Sequence, residues 1–152
     1  MNKNHPWKSL LVWQKAHCLI IDIYSLTKKF PSDEKFGITQ QIRRAAVSIA
    51  NNIVEGKSRS SNKEYVRFLY ISRGSLEETR YLVLLSYDLG FIDQEVNNKI
   101  ESLCSEISFL LNKLIKSINK LKNSREDMRS VMNEFKSYYS SKKIAQVIEE
   151  LI

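Results

Sequence analysis

The side chains best suited to catalysis or metal binding are few: two histidines, two cysteines and the adjacent glutamates Glu77 and Glu78 on a long helical pattern. A di-iron centre in a helix bundle needs Glu-x-x-His pairs and further carboxylates facing inward. His5 and His17 are the histidines, and neither follows a glutamate at that spacing. His17 and Cys18 are neighbours, so on a helix they diverge by about 100° and cannot address one atom. No second histidine lies near them for zinc, and His17 is read as a surface residue. A glycine-rich phosphate loop and a C-x-x-C pair are both missing from the sequence. Glu77 stands four residues after Arg73 and three before Arg80, the spacing of an ion-pair ladder on a helix surface. The expectation is a protein without enzymatic activity, cofactor or metal.

The basic residues are the better lead. The formal charge is +7, and the tail from Leu121 onward holds six basic and five acidic residues, so about +6 lies in the first 120. Such an excess favours a polyanion, although ordinary solubility would also account for it. Arg43, Arg44, Lys57, Arg59, Lys63, Arg67 and Arg73 are the candidate nucleic-acid-binding residues. They would hold backbone phosphates of RNA or DNA without reading base edges. Lys57, Arg59 and Lys63 cluster near a turn, and that cluster fits phosphate binding and a solvated face equally well. Tyr65 and Tyr70 lie nearby, where an exposed ring would stack on an unpaired base; they are placed in the core instead.

Apolar residues make up 43% of the 152 residues, with only four Gly and two Pro. So few breakers point to long helices in one domain. The period predicts helix 1 over about 8–29, with Val12, Ala16, Leu19, Ile20, Ile23 and Tyr24 inward, ended by Pro31. Helix 2 spans about 38–55 with Ile42, Ala45, Ala46, Ile49 and Ile53 inward, and Gly56 as a left-handed cap. Its small residues make it the most buried helix. Ser61 and Glu64 form a capping box for helix 3, which runs from Asn62 to about Leu89 and is ended by Gly90. Gly74 within it is read as a point of close helix packing.

Asp93 caps helix 4, whose stripe is Val96, Ile100, Leu103, Ile107, Leu110, Leu114, Ile118 and Leu121. The fold expected is an all-α, up-down-up-down antiparallel four-helix bundle over 1–122, with a C-terminal helical tail over 123–152. In the tail Met128, Val131, Met132, Phe135 and Tyr139 form one stripe, and Ile144, Val147, Ile148 and Leu151 another. A break is expected at Ser140–Ser141. The tail would pack on the bundle, reach a second subunit or hold a partner, and the pattern does not choose among these. Cys18 and Cys104 sit among apolar residues and are read as buried free thiols in a reducing cytoplasm. No apolar run approaches the ~18 residues of a membrane span, and no secretory signal opens the chain.

Several pieces occur together in order: Leu11–Ala16 (LVWQKA), Tyr24 through Phe30 and Pro31, Gly37–Ile49 (GITQQIRRAAVSI), Asn52–Gly56 (NIVEG), Arg59, Phe68–Leu69 and Arg73–Glu78 (RGSLEE). In spacing and sequence they resemble the four-helix-bundle proteins encoded within intervening sequences of bacterial 23S ribosomal RNA genes. That family includes the accessory variability proteins of diversity-generating retroelements. The resemblance covers about Trp7 to Lys120 and implies a homo-oligomer, typically a pentamer, with a basic surface. It further implies binding of nucleic acid and, for retroelement members, of a reverse transcriptase. Trp13, Ala46, Ile49, Asn52 and Gly74 become packing or subunit-contact candidates through it. The segment after Lys120 departs from the family pattern.

Overall fold

A computed structural model describes residues 5–149, with backbone alone at 122, 135 and 138–149. Four helices carry the fold: α1 (Leu11–Thr27), α2 (Ile38–Lys57), α3 (Asn62–Asp88) and α4 (Gln94–Glu149). Short 3-10 turns at Pro6–Ser9 and Ser32–Glu34 precede α1 and α2. Among the described residues there is no strand. The chain divides into two units, Met1–Lys116 and Ser117–Ile152.

Cross-helix contacts in the first unit set the order. Arg43 Nε donates to Thr27 Oγ1 at 2.8 Å, joining α2 to α1. Ser48 and Ser75 hydroxyls meet at 2.9 Å, and Ser72 donates to the Ile49 carbonyl, joining α3 to α2. Arg80 and Arg73 reach Glu101 and Asn112 on α4, while Lys15 pairs with Glu106 at 3.0 Å to close α4 on α1. In each pair of helices, later residues of one meet earlier residues of the next, so neighbours run antiparallel. This is the up-down-up-down four-helix bundle.

The helix ends follow local chemistry. Ser61 Oγ accepts from the Glu64 amide at 3.1 Å, and Asp93 Oδ1 from the Val96 amide at 2.8 Å. Gly90 takes φ +75°, and the Phe91 and Gly90 amides reach the Ser86 and Tyr87 carbonyls at 2.8 and 2.9 Å. That bond pair is a Schellman stop, which places Phe91 against Phe30. The α2 start is capped from outside: the Glu34 carboxylate accepts from the Ile38 amide at 3.0 Å. A side chain at Gly37 would occupy the space that carboxylate needs.

Gly56 is not a cap. It lies inside α2, buried, and the helix runs on to Lys57. A Cβ there would stand 2.9 Å from Phe68 Cβ and from Tyr65 Cδ2, so its bareness lets α3 approach. Gly74, expected at a close contact, is exposed, and a Cβ there would meet nothing within 4 Å.

The core is the predicted set on α2 (Ile42, Ala45, Ala46, Ile49, Ile53), joined by Val12, Ala16, Leu19 and Ile23 of α1 and Leu69, Leu76, Leu82 and Val83 of α3. Of α1–α3, α2 carries the most densely buried face. Tyr24 and Tyr70 were expected inward but are exposed, as is Cys18; Tyr65 and Cys104 are buried. On α4 the buried residues are Ile100, Cys104, Ile107, Leu111, Ile115 and Ile118. Leu103, Leu110 and Leu114 flank them half-buried, and Leu121 is exposed. At about 100° per residue, Leu103, Leu110 and Leu114 all fall to one side of the line through Ile100 and Ile107, while Cys104, Leu111 and Ile115 fall to the side that is buried. No break occurs at Ser140–Ser141: α4 continues to Glu149, having neither Gly nor Pro after Gln94. The tail positions Phe135, Tyr139, Ile144, Val147, Ile148 and Leu151 lie outside the described side chains.

Candidate nucleic-acid interface

The seven basic residues separate into two ends and a flank. Lys57 and Arg59 leave α2 as Lys63 and Arg67 enter α3, so these four share one end of the bundle. Arg43 and Arg44 stand 13 or more residues earlier on α2, about 20 Å away along its axis. Arg73 lies on the side of α3 facing α4, where Nη1 donates to Asn112 Oδ1 at 3.2 Å. It therefore does not join the expected ladder with Glu77, which pairs with Arg80 alone among the described residues.

Most of these cations lie over rings. The Arg43 guanidinium sits 4.7 Å from the Tyr24 centroid, Arg59 4.8 Å from Phe68, and Arg73 4.7 Å from Tyr70. Lys57 Nζ is 5.6 Å from Tyr65 and Lys35 Nζ 5.5 Å from Phe36. Such contacts hold a long side chain in place at small cost to its charge. Arg59 also pairs with Glu55. Arg44, Lys63 and Arg67 have no ion pair among the described residues. Burial pushes the Tyr65 phenol up, and its hydroxyl has no partner among the described residues.

Two features were missed in the sequence. His5 stacks on Trp7 and His17 on Trp13, each pair at 5.2 Å between centroids, and the two indoles meet at a tilt with centroids 4.6 Å apart. The antiparallel register set by Thr27 and Arg43 places Trp13 level with Lys57, at the basic end. The second is a groove of about 700 Å³ on the outer face of α2, lined by Tyr24, Lys35, Phe36, Arg43, Arg44 and Asn51 among others. Phe36 is 81% exposed at its edge. The readable signal was an aromatic residue between a lysine and a helix-starting glycine.

Among the described residues no group of three His, Cys, Asp or Glu side chains could hold a metal. Cys104 is buried, and burial, reinforced by Glu101, pushes its thiol up to about 12. The Arg80–Glu101 hydrogen bond holds the Arg80 guanidinium above its usual range, securing its charge. Among the described residues no helix is long and apolar enough to cross a membrane.

Fold and surface together define an all-α four-helix-bundle protein whose distinctive chemistry is cationic and aromatic. The chain belongs to the 23S rRNA-intervening sequence protein family, whose model matches residues 8–113. It is similar to a crystal structure described as a protein with unknown function from the S23 ribosomal protein family of Bacteroides thetaiotaomicron. That likeness has a TM-score of 0.65 and 29% identity, and covers 70% of this chain and 99% of that one. None of the curated proteins matches it.

Proposed function

We propose that the protein is a non-enzymatic, homo-oligomeric accessory factor that binds RNA or DNA through backbone phosphates. The observation that carries this reading is the set of cations fixed over rings, beside three exposed ones free of ion pairs among the described residues. Cations held in place lose less freedom when a phosphate arrives, and the exposed rings of Tyr24 and Tyr70 beside them suit bases. Family resemblance extends the reading to a pentamer serving a reverse transcriptase of a diversity-generating retroelement.

Binding of labelled RNA, followed by anisotropy across a salt series, tests it. Neutralising six phosphates on duplex DNA gives a log–log slope of about −5, and less on single strands. Arg59→Glu with Arg67→Glu should weaken binding and flatten the slope while leaving helicity intact. Full-strength binding by that double variant, or none by the wild type at low salt, refutes the proposal.

A second reading, a scaffold of the rRNA intervening-sequence type that docks a protein through its C-terminal segment, is favoured by the second unit itself. There Leu121, Met128, Val131 and Met132 are each more than half exposed. Grouped exposed apolar side chains are the mark of a partner site. Met128→Asp with Met132→Asp should abolish capture of the docked protein partner without lowering nucleic-acid affinity. Retained capture removes this reading.

A further inference from the structure

The groove on α2 differs in kind from the basic end. Its volume, about 700 Å³, is that of a small-ligand site. Three cations line it: Lys35, Arg43 and Arg44. Arg43 is pinned, its guanidinium over Tyr24 and its Nε bonded to Thr27 Oγ1 at 2.8 Å. A guanidinium covered on one face by a ring keeps its other face for a planar guest. Arg44 is exposed and has no ion pair among the described residues. Phe36 is 81% exposed, and Lys35 Nζ stands 5.5 Å from the centre of its ring. Thr39 also lines the groove; it is 8% exposed, and its hydroxyl is buried with no hydrogen-bond partner among the described residues.

The guest must be anionic, to suit three cations, and must carry a flat apolar face, to suit Phe36 and the open face of Arg43. It must also carry hydrogen-bonding edges, to suit Gln40 and Asn51 on the same wall. A duplex offers phosphates but keeps its base faces stacked inside, so it would leave Phe36 idle. An unpaired nucleotide offers all three.

We propose that this groove holds an unpaired nucleotide of a single strand, its base stacked on Phe36 and its phosphate against Arg44. This rests on the nucleic-acid reading above and narrows it to single-stranded segments at this position.

The test uses the full chain, with a labelled single strand and the duplex of the same sequence, followed by anisotropy. Phe36→Ala is expected to lower single-strand affinity about tenfold. It should leave duplex affinity unchanged, and Phe36→Trp should restore the single-strand value. Because Phe36 is so exposed, neither variant removes core packing. Equal affinity of the alanine variant and wild type for the single strand overturns the inference, as does an equal loss on both probes. A changed sedimentation coefficient for Phe36→Ala with unchanged binding assigns the groove to a second copy and also overturns it. Failure of wild type on both probes fells the broader reading instead; duplex binding with no effect of Phe36 fells only this one.

Discussion

Gly56 and Gly74 are both helical glycines, and replacing each with alanine should move stability in opposite directions. Alanine in place of glycine inside a helix gains about 1 kcal/mol from backbone propensity alone. At Gly74 nothing lies within 4 Å of the new Cβ, so the gain stands whole. At Gly56 the new Cβ would sit 2.9 Å from Phe68 Cβ, 2.9 Å from Tyr65 Cδ2 and 3.2 Å from the Tyr65 carbonyl oxygen. Phe68 Cβ and the carbonyl are fixed to the backbone, so relief requires α3 to move away from α2. Overpacking of that kind costs about 1–3 kcal/mol, and contacts to immobile atoms place it in the upper part of that range. Setting the propensity gain against the strain leaves Gly56→Ala less stable than wild type by about 1–2 kcal/mol.

Thermal and urea melts followed by far-UV circular dichroism measure both variants. For a chain of this size each 1 kcal/mol moves Tm by about 2–4 °C. Gly56→Ala should therefore melt about 2–8 °C below wild type, and Gly74→Ala about 2–4 °C above it. The displacement reaches the surface too, because Tyr65 and Phe68 carry Lys57 and Arg59. Gly56→Ala should thus weaken nucleic-acid binding although it alters no charge. A Gly56→Ala protein that melts at or above wild type refutes the close approach of α3, and with it the account of how those rings are positioned.

The thiols supply the remaining expectations. Cys104 is held protonated by burial, up to about 12, against about 8.5 in an unfolded chain. Its folded state binds the proton more tightly, so its contribution is intact below about pH 8.5 and is lost as pH rises toward the folded value. Tm should fall as pH rises from about 8.5 toward 12, and the fall should be shallower in Cys104→Ala; identical slopes count against the burial argument. Iodoacetamide near pH 8 should alkylate exposed Cys18 in the native protein and Cys104 only after unfolding, as read by mass spectrometry; prompt native labelling of Cys104 would contradict its burial.

What the sequence disclosed, and what it withheld, divides along the range of the interactions involved. Ser61, Gly90 and Asp93 end or begin helices through bonds to residues three to five positions away, so their roles are readable from adjacent letters. The α2 stripe is legible for the same reason: Ile42, Ala45, Ala46, Ile49 and Ile53 form the single small, apolar line among polar neighbours. On α4 apolar residues occupy several adjacent lines. Which of them turns inward depends on α1 and α3, so small Cys104 takes a seam place that the leucines seemed to claim. The candidate site was half legible: charge marked the cations, but the rings beneath them belong to other turns and other helices. Tyr24 meets Arg43 across the α1–α2 contact, a pairing nineteen positions apart in sequence. The two glycines state the point most sharply. A lone glycine in a helical pattern reads the same whether a ring presses on it or water does, and only the partner helix separates a bare surface from a contact that a single methyl group would spoil.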